Sequence, residues 1–188
     1  MKSLSEPAPY KTVEFSRAII TELMIPSYAN FGGKIHGGIL LSLMDKVAYV
    51  CAAKHAGNYC VTASIDAVDF LAAVEVGELV SLMASVNYVG RTSLVVGIRV
   101  VSENVKTNVV KHTNTSYFTM VAKNELNEPV EVPGLILQNH EQIRRFEEAR
   151  RRREIRKSYK AEVAQITKDL SIEHCKENLA GERCLIAI

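Results

Sequence analysis

Residues 39–56, ILLSLMDKVAYVCAAKHA, are dense in helix formers and apolar on nearly every face. Such a helix cannot rest on a surface with one side in water; other structure must wrap it. Its ends are punctuated. Residues 26–38, PSYANFGGKIHGG, form a loop rich in Gly and turn formers, and Gly57-Asn58 close the helix. Beyond the helix the period changes to two, through about 59–70 (YCVTASIDAVDF), 78–89 (ELVSLMASVNYV), 92–103 (TSLVVGIRVVSE) and 107–122 (TNVVKHTNTSYFTMVA). The separators AAVEVG, GR and NVK are short and suit antiparallel neighbours. Ahead of the loop, residues 12–20, TVEFSRAII, alternate in part through Val13, Phe15 and Ile19, as a half-buried strand does. Strand, buried helix and four long strands make an α+β domain, a strongly curved antiparallel sheet folded around one central helix.

Asn127, Pro129, Pro133 and Gly134 end that domain, so its expected span is 10–134, with 135–188 as an appendage. Within the appendage, NHEQIRRFEEARRRREIRKSYK (139–160) is a charged helix. Glu147 and Glu148 precede Arg150, Arg151 and Arg152 by the spacings that support an exposed helix. Residues 161–188 carry weak helical character and end in LIAI.

The chain has 188 residues, 47% hydrophobic and 23% charged, enough for a packed core and too apolar for wholesale disorder. The net charge of +2 hides an asymmetry, since residues 139–160 hold nine Lys/Arg against four Glu and the body is mildly acidic. Aromatics reach only 6%, with no Trp, which argues against a base-stacking nucleic-acid platform. The stretch MKSLSEPAPYKTVEF has no signal-peptide core, and the apolar run 39–53 is short and broken by Asp45 and Lys46. Cys51, Cys60, Cys175 and Cys184 lack metal-like spacing and are expected to be free thiols. A soluble, cytoplasmic protein without a membrane or nucleic-acid partner is expected.

Chemistry concentrates in residues 30–45, NFGGKIHGGILLSLMD. His36-Gly37-Gly38 opens the helix, where unpaired N–H groups and the positive dipole end receive negative charge. Gly32, Gly33, Gly37 and Gly38 permit close approach of a ligand to the backbone. Asp45 lies about two turns inside, on a polar line with Ser42, Lys46 and Tyr49. It is either a structural carboxylate paired with Lys46 or a neighbouring chain, or a general base or nucleophile beside an oxyanion-binding helix terminus. Asn30 is either a turn residue or a group that positions water or polarises a carbonyl.

Together these residues resemble the hotdog-fold acyl-CoA thioesterases, the acyl-CoA hydrolases of bacterial and mammalian cytosolic type. The likeness runs from Asn30 through Gly37-Gly38 and the apolar helix to Asp45. It continues through Asp69-Phe70-Leu71, Val76-Gly77-Glu78, Val89-Gly90-Arg91-Thr92-Ser93 and the strand Tyr117-Phe118-Thr119-Met120-Val121-Ala122 to the Arg-rich helix. It covers about residues 10–157. Two departures stand out. His36 takes a place where the family often carries Phe, and Lys111-His112-Thr113-Asn114 replaces a Lys-Ala-Thr-Glu type of sequence.

The resemblance implies hydrolysis of acyl-CoA to a free acid and coenzyme A. Asp45 would be general base or nucleophile, and Asn30 would orient water or thioester. His36 and the N–H groups of Gly37 and Gly38 would hold the thioester oxygen. Gly90, Arg91, Thr92 and Ser93 would contact the pantetheine and phosphates of coenzyme A, unless they are simply a hairpin. No metal or cofactor is implied, coenzyme A being substrate and product; the five histidines are scattered. Edge pairing into a dimer, and trimers of such dimers, would give a homohexamer whose sites take Asn30 and Asp45 from different chains. The competing readings are a non-catalytic acyl-CoA-sensing hotdog module and a hydroxyacyl dehydratase.

Overall fold

The apolar stretch forms a helix that starts at Gly37, two residues ahead of Ile39. The structure is a computed structural model that describes residues 9–169, 171–179 and 181–187. In chain order its elements are β1 (Tyr10–Thr12), α1 (Val13–Ser16), β2 (Ala18–Leu23), α2 (Gly37–Ala56), β3 (Tyr59–Ile65), β4 (Leu79–Val89), β5 (Ser93–Asn104), β6 (Val109–Lys123), β7 (Gly134–Ile136), α3 (His140–Asp169) and α4 (Ile172–Asn178). They fall into two compact units, one ending at Ala149 and the other beginning at Arg150. No described helix is long and apolar enough to cross a membrane.

The first unit carries a five-stranded antiparallel sheet in the order β2-β4-β5-β6-β3. Each hairpin neighbour follows from a short connection. At β4–β5, Gly90 N–H donates to the Ser93 carbonyl at 2.7 Å. At β5–β6, Asn104 Oδ1 accepts from the N–H groups of Lys106 and Thr107, and Asn108 turns at φ 56°. A two-stranded parallel pair, β1 with β7, stands beside this sheet.

Helix α2 packs into the sheet through Leu40, Leu43, Met44, Val47, Cys51 and His55, the i, i+3, i+4 stripe of an amphipathic helix. Its other side is open. Ser42, Asp45, Lys46, Tyr49 and Val50 are exposed, so within one chain the helix is covered on one side, not wrapped all round as the sequence implies. The apolar Val50 and half-polar Tyr49 on that open side explain the difference: they belong to a surface that a single chain leaves bare. Gly57 ends the helix in the left-handed region, φ 71°, and donates to the Ala53 carbonyl at 2.8 Å.

Residues 12–20 are not one strand. Thr12 caps a helical turn, its Oγ1 accepting from the Phe15 N–H at 3.3 Å, and the strand begins at Ala18. A Thr with Glu14 in the first turn is helix-start chemistry, and that local bond prevails over a partial alternation. The segment 59–70 likewise leaves the sheet after Ile65, and Leu71 N–H then donates to the Thr113 carbonyl at 2.8 Å.

Two buried polar groups tie the unit together. His55 is fully buried at the end of α2, and its Nε2 donates to the Pro133 carbonyl at 3.0 Å. Burial pushes the imidazole below its ordinary value, so it stays neutral. Glu78, 4% exposed, accepts from the Ser102 hydroxyl at 2.6 Å and the Glu75 N–H at 2.9 Å, and pairs with Lys111 at 2.9 Å. Burial alone would raise its carboxyl, but these donors together hold it below the usual value. A depressed carboxylate adds stability above its unfolded-state value and loses it as pH falls through the folded one. Glu78→Gln is therefore expected to cost about 1.5–3 kcal/mol at neutral pH. Urea titrations of both proteins should show that difference shrinking once the pH drops below the carboxylate range.

Candidate active site

Asp45 sits on the open side of α2, facing β3. Its Oδ1 accepts a hydrogen bond from Thr62 Oγ1 at 2.6 Å. The two belong to a cleft of about 440 Å³ whose walls include Lys46, Tyr49, Tyr59 and Met120. Thr62 Oγ1 also lies 3.3 Å from Met120 Sδ, an alternative and weaker acceptor for the same proton. Thr62 escapes a reading of the sequence because nothing distinguishes it from the Thr and Ser that fill these strands. The feature that selects it is a register shift between Thr62 and Ser64 in the β3–β6 pairing, a bulge of the kind that re-aims a side chain.

At the mouth of the cleft Tyr49 and Tyr59 meet with ring centroids 6.0 Å apart. Cys60 lines its floor, but burial pushes that thiol up to about 11, and Cys51 up to about 12. Neither offers a thiolate nucleophile near neutral pH. Asp45 is the carboxylate of the cleft.

The start of α2 is built differently from the simple donor pair implied by sequence. His36 is the N-cap, and its Nδ1 accepts from the Gly38 N–H at 2.8 Å. That bond places the proton of a neutral imidazole on Nε2, making the ring a donor at the helix terminus. Gly38 N–H is thus engaged, while Gly37 N–H, at the first helical position, takes no acceptor among the described residues. The Phe70 ring lies against Gly37: a Cβ there would stand 3.2 Å from Phe70 Cζ. Glycine lets that ring roof the helix terminus.

Asn30 closes its own loop. Its N–H donates to the Lys34 carbonyl at 2.7 Å, and its Oδ1 accepts from Gly32 N–H at 2.9 Å and Lys34 N–H at 3.2 Å. The oxygen is occupied, and the Nδ2 end remains as an uncommitted donor. The turn at Gly90 is a hairpin whose backbone braces its surroundings. Arg91 O accepts from Val132 N–H and Thr92 O from Ala122 N–H, both at 3.0 Å. Arg91 is exposed, and Thr92 and Ser93 are half-buried. The cleft at Asp45 includes none of Asn30, His36 or Gly90–Ser93. Among the described residues no group of His, Cys, Asp and Glu is arranged to hold a metal ion.

Known proteins share this fold. A model of the thioesterase superfamily matches residues 32–109, from the loop through α2 to β6. A crystal structure of an apo-hexameric acyl-CoA thioesterase superposes with a TM-score of 0.79 at 41% identity, covering 81% of this chain and 98% of that one. The chain belongs to the hotdog-fold acyl-CoA thioesterase family. Protein VdlD of Helicobacter pylori is 44% identical over 145 residues, 77% of this chain and 83% of its own length. An acyl-CoA hydrolase of Staphylococcus aureus, solved with butyryl coenzyme A, coenzyme A and coenzyme A disulfide, is 31% identical with a TM-score of 0.77, over 85% of this chain and 98% of that one. Three further structures of the S. aureus hydrolase are single mutants in which an Asn, an Asp and a Thr are each replaced by Ala. Those three lie 15 and 17 residues apart in that order, the separations of Asn30, Asp45 and Thr62 in this thioesterase-family chain.

Proposed function

We propose that the chain is a homohexameric enzyme that hydrolyses acyl-CoA thioesters to a carboxylic acid and coenzyme A. The observation that carries this is the Asp45 carboxylate, oriented by Thr62 in an open cleft and set on a helix whose terminus presents uncommitted donors. A thioester needs a base or nucleophile at its carbonyl carbon and hydrogen-bond donors at its oxygen as charge develops there. Asp45 supplies the first, either taking a proton from water or attacking directly. Gly37 N–H, with His36 Nε2–H and Asn30 Nδ2, supplies the second, brought from a facing chain because the Asp45 cleft of one chain includes none of them. Arg91, Thr92 and Ser93 receive coenzyme A, the guanidinium as a phosphate partner.

The assembly follows from what one chain leaves open. Strand β3 is a sheet edge, and beside it Tyr49, Val50, Tyr59 and Ile65 are between 40% and 57% exposed. An unpaired edge flanked by apolar surface is covered most simply by a second copy. The dehydratase reading lacks its histidine: His36 caps α2, His55 is buried against Pro133, and no histidine lines the Asp45 cleft.

The test is release of free thiol from a panel of acyl-CoAs of increasing chain length. Turnover of at least one thioester, with stoichiometric acid and coenzyme A, is the expected result. Saturable binding of every acyl-CoA without thiol release would instead make the chain a sensing module.

A further inference from the structure

Phe31 is the most exposed large apolar residue among the described residues, at 114% of its reference surface, so its ring has no cover from its own chain. The turn that carries it is braced. Ala29 pairs with Ile35, and Lys34 with Glu75, as isolated antiparallel bridges. Inside the turn Gly33 N–H donates to the Asn30 carbonyl at 3.0 Å, and Asn30 Oδ1 accepts from the Gly32 and Lys34 N–H groups. Gly33 takes φ 74°, a conformation that suits glycine, and the Lys34 ammonium pairs with the Glu75 carboxylate at the base. A turn fixed by this many bonds holds the ring out in water, and exposed aromatic rings on rigid supports are the usual anchors of protein–protein contacts.

The same chain carries a surface that fits a phenyl ring. Tyr49, Val50 and Tyr59 line the Asp45 cleft and are all exposed, and the two tyrosine rings meet at a tilt of 56°. A tilted aromatic pair beside a valine receives a third ring by edge-to-face contact. Phe31 does not line this cleft in its own chain. The bare ring and the bare apolar mouth are thus two halves of one contact, and a two-fold axis would satisfy both at once, each chain giving a ring and receiving one.

We propose that Phe31 is a positioning residue, its ring seated on Tyr49, Val50 and Tyr59 of a second copy so that the adjacent Asn30 is held at that copy's Asp45. The inference rests on the reading of the chain as a thioesterase whose sites are shared between copies. Consecutive Cα atoms stand 3.8 Å apart, so a ring fixed at the cleft mouth leaves Asn30 one step away, with its Nδ2 uncommitted. The apolar mouth takes the ring, and the Asp45 carboxylate is left to the thioester.

Two measurements on the full chain test this. In the first, p-benzoylphenylalanine replaces Phe31 and the protein is irradiated. Covalent dimers are expected, with peptide maps joining residue 31 to the segments that hold Tyr49, Val50 and Tyr59. Adducts that stay within one chain, dimers joined elsewhere, or no dimer at all overturn the proposal. In the second, Phe31→Ala is assayed for thiol release. The ring touches nothing in its own chain, so the circular dichroism spectrum should be unchanged. A misplaced Asn30 should lower kcat by about tenfold or more while KM for the acyl-CoA moves by less than about twofold. Phe31→Trp keeps a large ring and should recover most of the rate. Wild-type kcat in Phe31→Ala overturns the proposal, as does a rise in KM alone, which would make the ring a wall of the acyl pocket. Should the unmodified chain release no thiol from any acyl-CoA, the thioesterase reading fails, and the cross-link still decides where Phe31 sits.

Discussion

Asp45→Asn is expected to leave a folded protein that still binds coenzyme A and to lower kcat by about 10²–10⁴-fold, the range for removing a positioned acid–base group. The isosteric amide can still accept from the Thr62 hydroxyl, and Asp45 is exposed, so the fold should notice little. If the loss falls in kcat with KM for the acyl-CoA unchanged, the group acts in the transition state and not in binding. Near-normal turnover in the mutant would remove Asp45 from the chemistry. In the proposed reaction Thr62 would act through Asp45, as a positioning residue. Thr62→Val removes the hydrogen bond and keeps the shape, and should cost about ten- to a hundredfold in kcat. Thr62→Ser restores the hydroxyl and should recover most of it. If Ser fails as badly as Val, the methyl packing matters and the orienting bond does not.

The long elements were legible because each shows a sustained period. α2 and β4 to β6 lie within a few residues of where alternation and helical spacing put them, since tertiary packing and local pattern agree there. α1 was not legible, because four residues hold too little periodicity to compete with a strand reading and the deciding bond is a single Thr12 cap. Of the site, Asp45 and the Gly37-Gly38 helix start stand out as polar or flexible residues in an apolar context. Thr62 does not, since its role depends on a bulge and on a contact across 17 positions in the chain. His36 illustrates the same limit. Its place before the helix is plain in sequence, but that its ring takes the Gly38 N–H is a matter of rotamer. The openness of the outer side of α2 was hidden for another reason: hydropathy reports what is to be buried and is silent on whether the cover comes from the same chain.

That open side bears on where a complete site is assembled. Asp45 stands eight residues into α2, about 12 Å along the axis from its start at 1.5 Å per residue. Asn30 lies earlier in the chain, in a loop that its own side chain closes, and the Asp45 cleft does not include it. A two-fold partner seated on the β3 edge and the bare side of α2 would bring its own Asn30 loop to this chain's Asp45, and the reverse at the second site. Asn30→Ala and Asp45→Ala proteins, each made alone, would then carry two damaged sites per dimer and be close to inactive. In a mixed dimer one site collects both lesions and the other neither. Random equal mixing makes about half the dimers mixed, so about a quarter of all sites are intact, a count fixed by two-fold symmetry. Co-refolding the two variants and assaying thiol release against each parent measures this. Recovery near a quarter of the wild-type rate is the expected result. A mixture as inactive as its parents, with subunit exchange demonstrated by mass spectrometry of tagged chains, would place both residues in one chain's site and exclude the shared architecture.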